Sequence, residues 1–429
     1  MNHVPSRRWA LFLLTLVYLS NCMDRTIIAV LGEAIKNDLG LSNAQLGLLG
    51  GLSFALFYSI LGIPIARLAE RHSRVLILTI AISVWSGMTA LCALASSFLF
   101  LAVCRMGVGV GEAGCSPAAH SLISDYYEAR RRASALAIYS AGCSAGQILI
   151  ALGGSWIAEH YGWRTAFVAA GLPGLVLAVL IRVPLREPAR GASDRPAGAG
   201  PAAAALEPSS LTALAARLLR NATVRNAVAG CVLATVAGYG IHQFTAPYFI
   251  RAFGVSYSQA GLAFGLTVGV ASAVGLLVGG LAADRAGARD ARWYVGVPAI
   301  GILLTFPAYV LGFVQGAWIP AALILIVPGV LHFTYLAPTL SLLHNFVRPN
   351  ERATASAILL FLLSLIGFGV GPWFAGVAID WFSARTGSPG TGTRLGLIAT
   401  ATLFVWSALH YALAVRHYPR DFAPVRSLD

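Results

Sequence analysis

Charged residues are scarce in this sequence. They make up only 11% of its 429 residues, whereas soluble domains average about 25%. Hydrophobic residues make up 57%, which is more apolar surface than a water-soluble core buries. The composition therefore excludes a chain of two or three soluble domains and indicates a membrane protein that crosses the bilayer several times.

Several catalytic and metal-binding motifs are also missing. Lys36 is the only lysine and is not followed by Ser or Thr, so the Walker A motif of one class of ATPase is absent. The sequence does not contain the zinc spacing H-E-x-x-H. The six cysteines mostly lie inside apolar runs without paired spacing, and we expect them to be small core residues rather than disulfides or metal ligands. We therefore expect neither a cofactor nor a metal.

Twelve apolar runs are long enough to cross a membrane as helices, which takes roughly 20 residues each. The runs are too long for β-barrel strands and do not alternate. The first run follows Arg7-Arg8 as a signal sequence would, but it is too long for a signal peptide, so we expect it to be retained. We predict spans near residues 9–31, 45–68, 75–96, 98–122, 133–157, 163–185, 224–250, 257–283, 293–314, 317–341, 351–378 and 394–416.

A stretch rich in Pro, Ala, Gly and Arg divides the twelve runs into six and six. It predicts an N-terminal six-helix bundle (1–190), a cytoplasmic linker (191–222) and a C-terminal six-helix bundle (223–429). Most of the 30 Lys and Arg residues fall on the same side as the N-terminus, so the positive-inside rule predicts that both termini are cytoplasmic. This topology explains the net charge of +13 without nucleic-acid binding. The bias towards arginine is typical of a GC-rich bacterial genome, and we expect a multi-pass protein of a bacterial inner membrane.

One loop element occurs in both halves of the chain. Ala66–Arg74 follows the second run and Gly280–Arg289 follows the eighth, and each places an acid directly before an arginine. The loop resembles the Gly-x-x-x-Asp-Arg-x-Gly-Arg signature of the major facilitator superfamily, although Ala66 and Glu70 depart from that pattern. Arg105-x-x-x-Gly109-x-Gly111 is similar to the motif of that superfamily's fourth helix. The resemblance covers the whole chain.

Within that superfamily the sequence resembles the spinster-like transporters. The resemblance rests on Asp24-Arg25, Leu41-Ser-x-x-Gln45-Leu-Gly47, Ser124-Asp125-Tyr126 and Gly367-x-Gly369-x-Gly371-Pro372. It implies an all-α membrane protein of twelve transmembrane helices in two pseudo-symmetric six-helix bundles, which transports by alternating access and is not an enzyme. The eukaryotic relatives are associated with sphingolipid and lysophospholipid transport.

Four ionisable residues stand out inside predicted spans, namely Asp24, Arg25, Arg105 and Glu112. Each such group costs roughly 2.5–3.5 kcal/mol to insert. Asp24 and Arg105 each lie about 10 Å below the same surface, at 1.5 Å per residue, and are therefore level with one another. Glu112 lies nearly two turns deeper on the face of Arg105. We interpret Asp24 and Glu112 as proton-coupling residues and Arg25 and Arg105 as their charge partners, with Asp24 paired to either arginine in one state and protonated in another. The alternative is a static ion-pair network that fixes helix packing, in which Glu112 merely neutralises Arg105.

The loop acids and arginines suggest a conformational latch. In the superfamily, such elements clamp neighbouring helix ends on the cytoplasmic side in the outward-open state. The resemblance assigns this role to Glu70, Arg71, Asp284 and Arg285, with Asp125 as a further member of the layer. The alternative is ordinary helix capping and topological charge.

The second half carries no strongly charged residue in mid-span, so we expect it to supply an apolar and aromatic cavity wall. Its two histidines either titrate or contact substrate, or they are ordinary hydrogen-bonded core residues. The candidate cavity residues are Tyr239, His242, Phe244, His332, Phe333, Tyr335 and Phe361.

These features together predict a secondary active transporter, proton-coupled, that moves an amphipathic or lipid-like organic ion, such as a sphingolipid, a lysolipid or a drug-like molecule. Its expected partners are that small substrate, protons and membrane lipids, without nucleic acid, and we expect a monomer. One alternative is a passive facilitator of the same fold with a structural charge cluster. Another is a membrane-embedded enzyme acting on lipids, with Glu112 and His242 as catalytic residues.

Overall fold

The computed structural model describes residues 7–183, 185, 187–188, 211–348 and 351–426, without the side chains of residues 70, 129, 130, 133 and 422–426. Helices and the turns between them account for this part of the chain, and it contains no strand. The predicted linker 191–222 lies outside the described residues up to position 210.

Twelve helices in the described residues are long and apolar enough to cross a membrane. The first six are α1 (Arg7–Leu39), α2 (Asn43–Ala69), α3 (Arg74–Cys92), α4 (Phe98–Tyr126), α5 (Ser134–Tyr161) and α6 (Trp163–Arg182). A ten-residue helix, α7 (Leu211–Arg220), precedes the second set. That set comprises α8 (Ala222–Phe253), α9 (Tyr257–Gly287), α10 (Trp293–Phe313), α11 (Trp318–Asn345), α12 (Arg352–Thr386) and α13 (Pro389–Asp421). The twelve predicted spans are thus confirmed, with shifts at their ends.

The second helix of each set begins with the same capping motif. Ser42 before α2 accepts a hydrogen bond from the backbone N–H of Gln45, and the Gln45 side chain accepts one from the backbone of Ser42. Ser256 and Gln259 form the same capping box before α9. Each box satisfies two of the N–H groups that a helix start otherwise leaves unpaired. The repeat between the two halves therefore extends to helix capping.

Three of the long helices contain a π-helical turn. These turns lie at Ile150–Gly154 in α5, Gly265–Val270 in α9 and Leu363–Phe368 in α12. A π turn widens the helix locally and is frequent at functional sites. Each of the three turns contains glycine, which lets the backbone adopt the wider turn without side-chain crowding.

The chain forms two compact units, Met1–Ala203 with Ser256–Gly265 and Ala204–Val255 with Leu266–Asp429. In the first unit, α5 lies against the backbone of α1 at Gly142, where a Cβ atom would come within 2.7 Å of the Thr15 carbonyl oxygen. In the second unit, α8 meets α12 at Gly240, where a Cβ atom would lie 2.8 Å from the carbonyl oxygen of Gly371. Small residues thus set the closest helix contacts, as is common in membrane proteins.

The expectation about cysteines is wrong for two of the six. Cys22 of α1 and Cys143 of α5 form a disulfide, with their Cα atoms 5.1 Å apart. The pair arises because the adjacent Gly142 allows α5 to approach α1 closely. The other four cysteines are buried and free, as expected for small core residues.

Candidate functional site

The first unit contains a buried ion pair between α1 and α4. Arg25 Nε donates to Glu112 Oε2 over 2.6 Å, and the Glu112 side chain is fully buried while that of Arg25 is 24% exposed. The Arg25 guanidinium also lies over the ring of Tyr58, 4.5 Å from its centroid, and 5.3 Å from that of Phe54. Glu112 therefore has Arg25, one of the two predicted charge partners, as its hydrogen-bonded partner, and not Arg105 as in the alternative interpretation.

Asp24 and Arg105 meet in the same region, but not through the aspartate side chain. Arg105 Nη1 donates to the backbone carbonyl oxygen of Asp24 over 2.9 Å, and Arg105 Nε donates to that of Leu49 over 3.4 Å. Both residues are fully buried. Neither carboxylate oxygen of Asp24 has a hydrogen-bond partner among the residues described. The two side chains are neighbours, as the depth argument predicted, yet in this structure the carboxylate is paired with neither arginine.

The second unit contains a cluster of aromatic and imidazole rings. The His332 ring lies 5.2 Å from that of His242, 4.7 Å from that of Phe333 and 5.6 Å from that of Tyr335, centroid to centroid. Tyr239 joins the cluster through His242, at 6.0 Å. Five of the seven candidate cavity residues are thus brought together. Phe244 is buried elsewhere in α8, and Phe361 makes no ring contact in the described structure.

Two aromatic residues that the sequence analysis did not select also belong to this cluster. Phe368 lies 4.7 Å from Tyr239, and Phe404 lies 5.3 Å from His332. Their positions on α12 and α13 gave no signal, because aromatic residues are common throughout these apolar helices.

The two histidines are buried without being fully hydrogen-bonded. Neither ring nitrogen of His332 has a partner in the part of the chain that is described, and the same holds for Nε2 of His242. The His332 ring packs directly on Gly238, where a Cβ atom would overlap it. The neighbouring hydroxyl of Tyr335 is bonded to Thr235 instead, at 2.8 Å. The cluster therefore places the polar atoms of histidine and tyrosine side chains among packed aromatic rings, and small-molecule sites likewise combine an aromatic lining with a few polar groups.

The charged layer next to the α2–α3 loop is centred on Arg74, a residue that the sequence analysis did not select. Arg74 is 1% exposed. It forms ion pairs with Asp125 and with Glu187, the latter at 2.6 Å, and donates to the hydroxyl of Ser121 at 2.8 Å. Asp125, a predicted latch residue, is thus part of a layer that joins the ends of α3 and α4 to the segment after α6. The one available signal was the position of Arg74 at the end of the repeated loop element.

Glu187 lies outside the membrane-spanning helices and is held as an anion. Partial burial alone would raise the pKa of this carboxyl group. Hydrogen bonds from Arg74, from the backbone N–H of Val75 and from the hydroxyl of Ser73 outweigh burial and lower the pKa below its usual value.

The other predicted latch residues take no part in such a layer. Arg71, Asp284 and Arg285 are exposed, and their side chains form no ion pair or hydrogen bond within the described residues. The side chain of Glu70 lies outside the described part of the structure. Their latch role stays a prediction.

The corresponding contact of the second unit uses different positions. Arg217 of α7 pairs with Glu351, which is 2% exposed and also accepts a hydrogen bond from the backbone N–H of Arg348 over 3.2 Å. The predicted linker thus contributes a residue that holds the start of α12. No sequence pattern indicates this contact, which joins residues 134 positions apart.

Comparison with known proteins places these features in a family. The family model of the Major Facilitator Superfamily matches residues 14–372. The chain belongs to this superfamily. It is 34% identical to a protein of Mycolicibacterium smegmatis named MFS-type efflux pump, over 98% of this chain and 95% of the relative.

The spinster-like resemblance is also confirmed. A crystal structure of a bacterial homologue of the human lysosomal transporter Spinster, inward-facing and unoccupied, matches 98% of this chain and 99% of its own, with a TM-score of 0.87 and 32% identity. The chain is also 28% identical to Protein spinster homolog 1 of Xenopus tropicalis, over 85% of this chain and 71% of the relative. The protein is therefore a multi-pass membrane transporter with the alternating-access fold. The alternative of a membrane-embedded lipid enzyme is set aside.

Proposed function

We propose that this transporter couples the movement of an amphipathic organic ion to that of protons, and that Asp24 is the group that binds the proton. One observation carries the proposal. The Asp24 carboxylate is fully buried and lacks a hydrogen-bond partner within the described chain, while Arg105 bonds to the backbone of the same residue.

The Asp24 carboxylate is costly as an anion, because burial removes its hydration and no hydrogen bond within the described chain replaces it. Protonation removes that cost, as does pairing with a nearby cation. Arg105 bonds to the backbone of the same residue, and we infer that its guanidinium rearranges to pair with the Asp24 side chain in another state. Proton binding at Asp24 and the position of Arg105 are therefore linked, which is what coupling requires.

The ring cluster of the second unit supports an amphipathic substrate. It combines aromatic rings with the polar atoms of histidine and tyrosine side chains and contains no carboxylate or guanidinium group. A cluster of this composition suits the apolar body of an amphipathic molecule and suits sugars poorly. The naming of the Mycolicibacterium relative as an efflux pump fits drug-like amphiphiles as members of this class.

The test is proton flux in proteoliposomes that contain the purified protein and a pH-sensitive dye. Sphingosine phosphate, lysophospholipids, cationic drugs and, as a polar comparison, sugars are offered in turn. The Asp24→Asn variant keeps the shape of the side chain but binds no proton. Asp38→Asn is the matched control, because Asp38 lies on the same helix but is exposed, with 43% of its side chain accessible.

We expect substrate-dependent proton flux in the native protein and in Asp38→Asn, and none in Asp24→Asn. Substrate movement without proton flux, unchanged in Asp24→Asn, would instead identify a passive facilitator in which the charged cluster is structural. Faster movement of sugars than of amphiphiles would overturn the proposed substrate class.

A further inference from the structure

The first unit contains an apolar cavity that is not lined by the charged cluster of Asp24, Arg25, Arg105 and Glu112. It has a volume of about 420 Å³ and lies between α1, α5 and α6. Leu16, Leu19 and Met23 line it from α1, Gly153 and Ile157 from α5, and Pro173 from α6. Among the described residues that line it none is charged, and the hydroxyl of Ser20 is the one polar side-chain group.

Gly153 leaves part of this cavity unfilled, because it has no side chain. A Cβ atom at this position would meet no other atom within 4 Å, so the absence of a side chain leaves real empty volume. Gly153 lies in the π turn of α5, beyond the point where Gly142 brings α5 onto the backbone of α1. The cavity therefore begins where the close packing of these two helices ends.

The cavity opens on an apolar surface. Val176 and Leu180 of α6 and Leu149 of α5 line it and are nevertheless 60%, 47% and 51% exposed. On membrane-spanning helices, an exposed face of this composition adjoins lipid chains rather than water.

We propose that this cavity binds one acyl chain of a membrane phospholipid. Its volume falls within the range of small-molecule sites, about 300–1,000 Å³, but it lacks the convergent polar groups that orient a polar ligand. Water is disfavoured in an apolar cavity that offers it almost no hydrogen bonds. A hydrocarbon chain from the surrounding bilayer fills the space and gains the dispersion contacts that an empty cavity forfeits.

This site is separate from the proposed transport function. Met23 and Ser20 face the cavity, whereas the neighbouring Asp24 has its carboxylate buried within the charged cluster. The lipid site and proton coupling are therefore tested by different measurements, and the failure of one leaves the other standing.

The test is photolabelling of the full-length protein in nanodiscs of phosphatidylcholine. A small fraction of the lipid carries a diazirine at the middle of one acyl chain, and the labelled peptides are identified by mass spectrometry. We expect adducts enriched on residues 149–157 and 169–180, relative to the exposed apolar surface of α10 around Ile300 and Leu303. Labelling that is no stronger there than on α10 would overturn the proposal.

Two variants fill the cavity from opposite walls, Gly153→Leu from α5 and Ala169→Leu from α6. The matched control is Gly87→Leu on α3, because a Cβ atom at Gly87 also meets nothing within 4 Å, but this residue does not line the cavity. We expect either filling variant to lose the enrichment and Gly87→Leu to retain it. The two variants alter different helices. If one of them fails to fold, the loss or retention of labelling in the other still tests the site. Full enrichment in a folded filling variant would refute the site.

Discussion

We predict that removing Arg25 from its buried pair with Glu112 reduces the stability of the folded protein more than removing Glu112 does. Arg25→Gln leaves a carboxylate that is fully buried, whereas Glu112→Gln leaves a guanidinium that is 24% exposed and still stacked on Tyr58. Removing one partner of a buried pair typically costs about 3–5 kcal/mol, and we expect Arg25→Gln to fall in this range. The loss of a hydrogen bond to a charged group costs about 1.5–3 kcal/mol, and we expect Glu112→Gln to fall there.

The double variant Arg25→Gln/Glu112→Gln should be more stable than the sum of the two losses predicts, because it leaves neither charge buried alone. The assay is denaturant unfolding of the purified protein in a single detergent, followed by tryptophan fluorescence. The matched control is the exposed pair of Arg164 and Asp38, whose side chains are both 43% accessible. Exposed pairs contribute about 0–1 kcal/mol, so Arg164→Gln and Asp38→Asn should have small and nearly additive effects.

Two results would refute this reasoning. The first is additivity of the two changes at the buried pair, within the roughly 0.5 kcal/mol seen for independent sites. It would mean that the hydrogen bond between Arg25 and Glu112 is not an energetic unit. The second is a larger loss in Glu112→Gln than in Arg25→Gln, which would mean that the partly exposed arginine, and not the buried glutamate, depends on the pair.

Two further predictions concern the Glu187 layer and the cysteines. Because the folded-state pKa of Glu187 is lowered, its stabilising effect is present above the usual glutamate pKa of about 4.3 and is lost as the pH falls through the lowered value. Glu187→Gln should therefore reduce the unfolding midpoint at pH 7 and leave it unchanged in strong acid, and an equal reduction at both pH values would contradict the ion pair with Arg74. Unfolded but unreduced protein should react with iodoacetamide at four cysteines and, after reduction, at six. Six labels without reduction would show that Cys22 and Cys143 are not bonded.

The sequence predicted well those features that depend on one helix at a time. Hydropathy located the twelve spans because each helix is exposed to the same apolar solvent regardless of its neighbours. Depth along a helix follows from a constant rise per residue, and for this reason Asp24 and Arg105 were expected to be level. The 2.9 Å hydrogen bond from Arg105 to the Asp24 backbone agrees with that expectation.

The features that depend on how helices face one another could not be predicted in this way. Whether Glu112 bonds to Arg25 or to Arg105 depends on the rotation of α1 relative to α4, which the sequence pattern does not specify. The disulfide of Cys22 and Cys143 depends on the contact of α1 with α5. In the sequence, Arg74 resembled a loop arginine that only sets the membrane topology, because its partner Glu187 lies 113 positions further along the chain.

The charges of the cluster on α1 and α4 lead to an expectation about the direction of coupling. Asp24, Arg25, Arg105 and Glu112 are neutral in sum when all are ionised, and protonation of Asp24 leaves one excess positive charge. In this structure Arg105 bonds only to backbone oxygens of Asp24 and Leu49 among the residues described, so an anionic headgroup near it would restore neutrality.

Proton binding and anion binding at such a cluster therefore favour each other, and the linkage is reciprocal. By the same reasoning, a cation and the proton oppose each other. We expect an anionic lysophospholipid to move with protons in the same direction, and a cationic drug to move against them. The sign of the internal pH change, recorded while each substrate gradient dissipates in proteoliposomes, measures this directly. If both classes of substrate moved protons in the same direction, charge balance at Asp24 and Arg105 would not be the basis of coupling, and the proton would have to act through a site that does not sense the charge of the substrate.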